Sequence, residues 1–193
     1  GDRVGLNIEK AGAAEVSSLL CTMANHTAVP YYGVTRDESR RYLKDLNLSC
    51  MIVNDPDSVV ARTARAMHIP VFVINVPEHA KAGQFSFADE APFPRIETAP
   101  NNDPQRVPLI IHTSGTSAAP KQVMITNDNL DAIVENSRSS FGLNKNDRLL
   151  SSFERIHISG VVTALSTLAA GGSVFCTKDA MKPEQFPSLL EES

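Results

Sequence analysis

Two short apolar runs, Cys50-Met51-Ile52-Val53 and Val71-Phe72-Val73-Ile74, constrain the fold of this chain more than any other feature. Neither alternates with polar residues, which is the pattern of a strand buried on both faces. The first stops at Asn54-Asp55-Pro56 and the second is ended by Pro77. Between them, residues 57–67 read as a helix that opens on an aspartate cap, Asp57. Alternation of buried strand and helix implies a parallel sheet. Two more helices precede these runs. Residues 13–23 place Val16, Leu19, Leu20 and Met23 on one helical face. Thr35-Arg36-Asp37-Glu38 has the form of a capping box and starts a helix that runs through Leu46.

The alternation breaks off at 78–106, a polar stretch that carries Pro92, Pro94, Pro100 and Pro104. It reads as a partly irregular connector between a first α/β subdomain, 1–77, and a second, 107–193. In the second, strands are expected at 107–112, 122–125, 149–151 and 173–177. Helices are expected at 127–141, with Asp128 and Asp131 favourable near its N-terminus, at 160–169, stopped by Gly171-Gly172, and at 183–192. The fold class is therefore α/β, as two strand-helix layered subdomains.

Composition narrows the function. A length of 193 residues suffices for one domain or two small subdomains around a real core. A formal charge of −4 without a run of Lys or Arg argues against nucleic acid or a charged membrane surface as partner, and leaves room for a local phosphate site. No apolar run reaches membrane-spanning length. Gly1-Asp2-Arg3-Val4 is not a signal peptide and lacks an initiator Met, so the chain reads as part of something longer. Cys21, Cys50 and Cys176 are odd in number and form no CxxC pair, which suits reduced thiols in a cytoplasmic protein. His26, His68, His79 and His112 have no ligand-like spacing, so no metal site is expected.

The stretch that carries chemistry is Ile111-His112-Thr113-Ser114-Gly115-Thr116-Ser117-Ala118-Ala119-Pro120-Lys121. Small and hydroxylated residues follow a buried strand and a lysine closes the loop. Small residues let backbone N–H groups approach an anion, the hydroxyls of Thr113, Ser114, Thr116 and Ser117 donate, and Lys121 supplies positive charge. A Walker A loop has Gly before its Lys and Ser or Thr after it; Pro120 and Gln122 stand there instead, and Pro120 lacks a backbone donor. A plain Ser/Thr-rich hairpin turn stays open on composition alone.

This loop resembles the phosphate-loop signature T-S-G-T-T-G-x-P-K of adenylate-forming enzymes: acyl-CoA synthetases, firefly-type luciferases and the adenylation domains of peptide synthetases. Thr113, Ser114, Gly115, Thr116, Pro120 and Lys121 match it; Ser117 replaces Thr and Ala118 replaces Gly. The flanks follow in family order. Ile125-Thr126-Asn127-Asp128-Asn129-Leu130 is similar to L-T-H-x-N-L, with Asn127 at the His. Ile156-His157-Ile158-Ser159-Gly160 resembles the segment P-L-F-H-I-H-G, with Glu154 at its Pro and Ser159 at its second His. Ala169-Ala170-Gly171-Gly172-Ser173-Val174 matches x-A-G-G-S-V, and Gly1-Asp2-Arg3-Val4 and Ala28-Val29-Pro30 resemble upstream landmarks.

The resemblance implies an AMP-forming acid–thiol ligase: a carboxylate attacks the α-phosphate of ATP with Mg²⁺, pyrophosphate leaves, and CoA or a phosphopantetheine thiol takes the acyl group. It implies that Thr113, Ser114, Gly115, Thr116, Ser117 and Lys121 hold phosphates and that His157 lies near the acyl pocket and adenylate. The partners implied are a small carboxylic acid and, in an adenylation domain, a carrier protein. A non-catalytic nucleotide-binding relative is the alternative of another class. The family's later segments are not in residues 1–193, so this stretch alone is expected to be inactive.

Overall fold

The apolar runs do become strands, but the centre of the sheet is built from segments the periodicity reading passed over. The computed structural model describes residues 2–9, 11–31, 35–88, 101–113, 121–151, 157–177 and 183–192. In chain order it contains β1 (Arg3–Asn7), α1 (Ala13–Asn25), β2 (Thr27–Pro30), α2 (Arg36–Leu46), β3 (Cys50–Val53), α3 (Val59–Ala66), β4 (Val71–Asn75) and β5 (Ser86–Phe87). There follow β6 (Leu109–Thr113), β7 (Lys121–Ile125), α4 (Asn127–Phe141), β8 (Arg148–Ser151), α5 (Ile158–Ala169) and β9 (Ser173–Cys176). A 3₁₀ turn at Pro183–Gln185 leads into α6 (Phe186–Glu192).

A seven-stranded sheet runs in the order β5-β4-β3-β1-β2-β6-β7, and β8 pairs with β9 separately. The β1–β2, β1–β3, β3–β4 and β2–β6 pairs are parallel, as alternation with helices requires. Strands on both sides of the 78–106 segment share this sheet, because β6 lands beside β2 with Ala28 opposite Leu109. The segment itself contributes β5, antiparallel to β4, with Phe85 and Phe87 packed on the core. At its other end the Arg106 guanidinium donates to the carbonyls of Met23 and His26, both at 2.7 Å, and so closes the C-terminus of α1.

Helices cover both faces. On one, Val4, Leu6 and Ile8 meet Leu19 and Met23 of α1, Leu130 of α4 and Val161 of α5. On the other, Val29, Met51 and Val53 meet Leu43 and Leu46 of α2 and Val60, Ala61 and Ala64 of α3. β1 shows how tight this is: a Cβ on Gly5 would come within 2.6 Å of Met51 Sδ.

Some boundaries differ from the sequence reading for local reasons. Asp57 does not cap the helix after β3. Its N–H donates to Asp55 Oδ1 at 2.9 Å in a tight turn, and Ser58 takes the cap by accepting from Ala61 N at 3.1 Å. Of the Thr35 box, the forward bond forms, from Glu38 N to Thr35 Oγ1 at 3.3 Å. The reciprocal box occurs instead at Thr126 and Asn129.

Candidate active site

The loop singled out in the sequence lies between β6 and β7. The two strands are antiparallel, with Thr113 opposite Lys121 and His112 opposite Gln122. Leu109 and Ile111 point into the core on the α1 face and Ile110 into the α2 face, so both sides of β6 are anchored. β6 runs parallel to β2, so Thr113 lies at the C-terminal edge of the parallel strands, where open α/β sheets present their ligand sites.

Thr113 and Lys121 are both exposed at this edge. They place one hydroxyl donor and one ammonium on adjacent strands at the two feet of the loop. No carboxylate among the described residues pairs with Lys121. This donor set fits a polyphosphate. Ser114, Gly115, Thr116 and Ser117 lie outside the described residues, as do Glu154 and Arg155.

His157 sits at the N-cap of α5, after β8. Its carbonyl accepts from Gly160 N at 3.1 Å, while its ring makes no capping bond and is exposed. One turn on, Val161 is 1% exposed in the same cluster as Leu109, Ile111 and Ile125. The helix that positions His157 is therefore seated on the core beneath β6 and β7. Among the described residues no group of three His, Cys, Asp or Glu side chains could hold a metal ion. Cys21, Cys50 and Cys176 form no disulfide among the described residues. No described helix is long and apolar enough to cross a membrane.

Three residues at this edge were given no role by the sequence reading. Tyr31, Tyr42 and His112 come from the end of β2, from α2 and from β6. Their rings touch in series: Tyr31 stacks on Tyr42 with 4.1 Å between centroids, and Tyr42 meets the His112 ring at 4.2 Å with the planes tilted by 56°. Burial pushes the His112 imidazole down to about 4, so it is neutral near pH 7. Burial also raises both tyrosine hydroxyls. The Ser39 hydroxyl lies beside that of Tyr31 and opposes the rise there, yet neither oxygen completes a well-formed hydrogen bond. Only tertiary contact brings the three rings together.

The family model described as "AMP-binding enzyme" matches residues 1–193. The chain is 28% identical over 182 residues to the "Probable CoA ligase CCL9" of Humulus lupulus, covering 90% of this chain and 34% of that protein. It is 27% identical over 180 residues to the oxalate–CoA ligase of Arabidopsis thaliana, with the same coverage of 90% and 34%. The chain thus spans about a third of the length of these relatives. Its fold matches that of ATP-bound MatB from Rhodopseudomonas palustris with a TM-score of 0.79 at 21% identity, over 100% of this chain and 38% of that one.

Proposed function

The chain belongs to the AMP-binding enzyme family, and on that footing we propose that it is the N-terminal part of an ATP-dependent acid–CoA ligase. The observation that carries this reading is the β6–β7 hairpin. It sets an exposed hydroxyl and an exposed lysine side by side at the C-terminal edge of the sheet. The intervening loop is rich in small and hydroxylated residues.

The reaction joins a carboxylate to the α-phosphate of ATP with release of pyrophosphate, and then passes the acyl group from the acyl-AMP to a thiol with release of AMP. Thr113 and Lys121, with Ser114, Gly115, Thr116 and Ser117 between them, hold the β- and γ-phosphates. They do so by donation and charge, in a site that needs positioning more than covalent chemistry. Mg²⁺ accompanies the triphosphate and supplies further charge neutralisation; no protein ligand for it is assigned. His157, at the mouth of α5, faces the acyl side. CoA rather than a carrier protein is the acceptor, because the relatives that match most of the chain are named as CoA ligases. The acid is small, and oxalate, the substrate in one relative's name, heads the acids to try.

ATP–pyrophosphate exchange by the full-length protein, against a panel of small mono- and dicarboxylic acids, tests the reading. Exchange should depend on one acid, and Lys121→Ala should lower it by on the order of a hundredfold. Exchange that is unchanged in Lys121→Ala removes the phosphate-holding role.

A further inference from the structure

The two feet of the phosphate loop are both fastened to α2. On the β6 side, His112 immediately precedes Thr113 and its ring lies against Tyr42 of α2, at 4.2 Å between centroids. On the β7 side, Gln122 immediately follows Lys121 and its Nε2 donates to the carbonyl of Asp45, further along the same helix, at 3.2 Å. His112 and Gln122 are themselves cross-strand partners, directly behind the Thr113–Lys121 pair. α2 in turn is seated deep in the second core layer through Leu43 and Leu46, 2% and 1% exposed. Tyr31 continues the stack to the end of β2, where its carbonyl accepts from the buried Asn7 side chain at 3.1 Å.

We propose that His112 is a positioning residue for nucleotide binding: its ring, clamped on Tyr42, sets the spacing and direction with which Thr113 and Lys121 present their donors to the triphosphate. This rests on the ligase reading above. Position rather than chemistry is what His112 supplies, for two reasons visible at the ring. Its Nε2 is buried and makes no hydrogen bond to the protein, so the contact that fixes the ring is the one with Tyr42. The ring it meets, tilted at 56°, is aromatic, and a flat ring of similar size satisfies that contact whether or not it carries nitrogen. A second clamp at Gln122 shows that the hairpin is fixed on both strands, which a merely space-filling residue would not require.

The test is steady-state kinetics of the full-length ligase with ATP and acid varied separately, alongside thermal melts. His112→Ala should raise KM for Mg-ATP by on the order of tenfold while the acid KM and kcat change less than twofold. Tyr42→Ala should act in the same direction. His112→Phe, which keeps the ring and removes the orphaned nitrogen, should restore the ATP KM to within twofold of the native value and should melt no lower than the native protein. A purely structural role would lower the melting temperature and the active fraction without separating the two KM values. Unchanged ATP KM in His112→Ala overturns the proposal, and so does a His112→Phe as impaired as His112→Ala, which would mean that the nitrogen itself is used. If the native protein shows no ATP dependence at all, the ligase reading falls and this inference with it.

Discussion

α3 and α4 are held in place by opposite means. α3 buries Val60, Ala61, Thr63 and Ala64 out of 8 residues, whereas α4 buries only Leu130 out of 15. The shorter helix is defined by what it packs against. It makes do with one cap, Ser58, and the chain leaves it through His68 at φ 62, a left-handed conformation that a non-glycine residue adopts at a cost of roughly 1 kcal/mol. The longer helix is defined by its own ends. Thr126 Oγ1 accepts from Asn129 N and Asn129 Oδ1 accepts from Thr126 N, both at 3.2 Å. Gly142 takes the left-handed position at φ 63, and a Cβ there would meet nothing within 4 Å, so glycine serves conformation alone. Dense burial tolerates poor local signals, and sparse burial needs good ones.

This contrast can be broken by substitution. The largest effect is expected on the α2–α3 side of the sheet: Leu43→Ala should cost about 2–5 kcal/mol in urea denaturation, because Leu43 is 2% exposed and its neighbours cannot collapse into the space. Next comes acid sensitivity on the same side. His112 moves from an ordinary value of 6.5 to about 4 on folding, so the unfolded chain takes up its proton first. That contribution is complete above pH 6.5 and is lost as pH falls toward 4. Its size is bounded by about 1.4 kcal/mol for each pH unit crossed, less what solvent screening removes from a half-buried ring. Around the stack, Glu38 and Arg41 of α2 exert opposite electrostatic effects on Tyr31, so the His112 contribution is isolated by comparison with His112→Phe. The urea midpoint of the Phe variant should fall less than that of the native protein between pH 6.5 and 4; equal slopes would show that the ring is not buried in solution.

A smaller loss, about 1 kcal/mol, is expected for Thr126→Ala at the start of α4, read as a drop in helix protection by hydrogen exchange confined to residues 126–130. A Thr126→Ala loss equal to that of Leu43→Ala would erase the distinction between the two helices. The smallest effect is expected at the far end of α4. Phe141 is 76% exposed, and Phe141→Ser should move stability by no more than about 0.5 kcal/mol in the same urea experiment.

What was legible in the sequence follows the same division. The ends of α4 and the strand character of β3 and β4 are written in neighbouring residues. So is the phosphate-loop pattern, through small residues, hydroxyls and Lys121. β1 and β2, by contrast, occupy the middle of the sheet and carry no strong periodic signal. β1 contains Gly5 and ends on the buried Asn7, and β2 ends on Pro30. Asn7 belongs there only because Glu9 Oε1 and the Tyr31 carbonyl accept from its amide, at 3.2 and 3.1 Å. His157 was singled out only through resemblance; the structure seats it at the N-cap of α5, which starts at Ile158 rather than at the expected Gly160.

By itself, then, the sequence determined the α/β alternation and the place of the small, hydroxylated loop between β6 and β7, because each of these depends on residues close together in the chain. Tertiary structure alone decided that β6 crosses the 78–106 segment to lie beside β2, that Ser58 and not Asp57 caps α3, and that His112 and Gln122 are both fastened to α2. The physical reason is range. Caps, turns and apolar runs act over a few residues, whereas sheet order and ring stacking join groups tens of residues apart, whose pairing is set by which faces can be buried together.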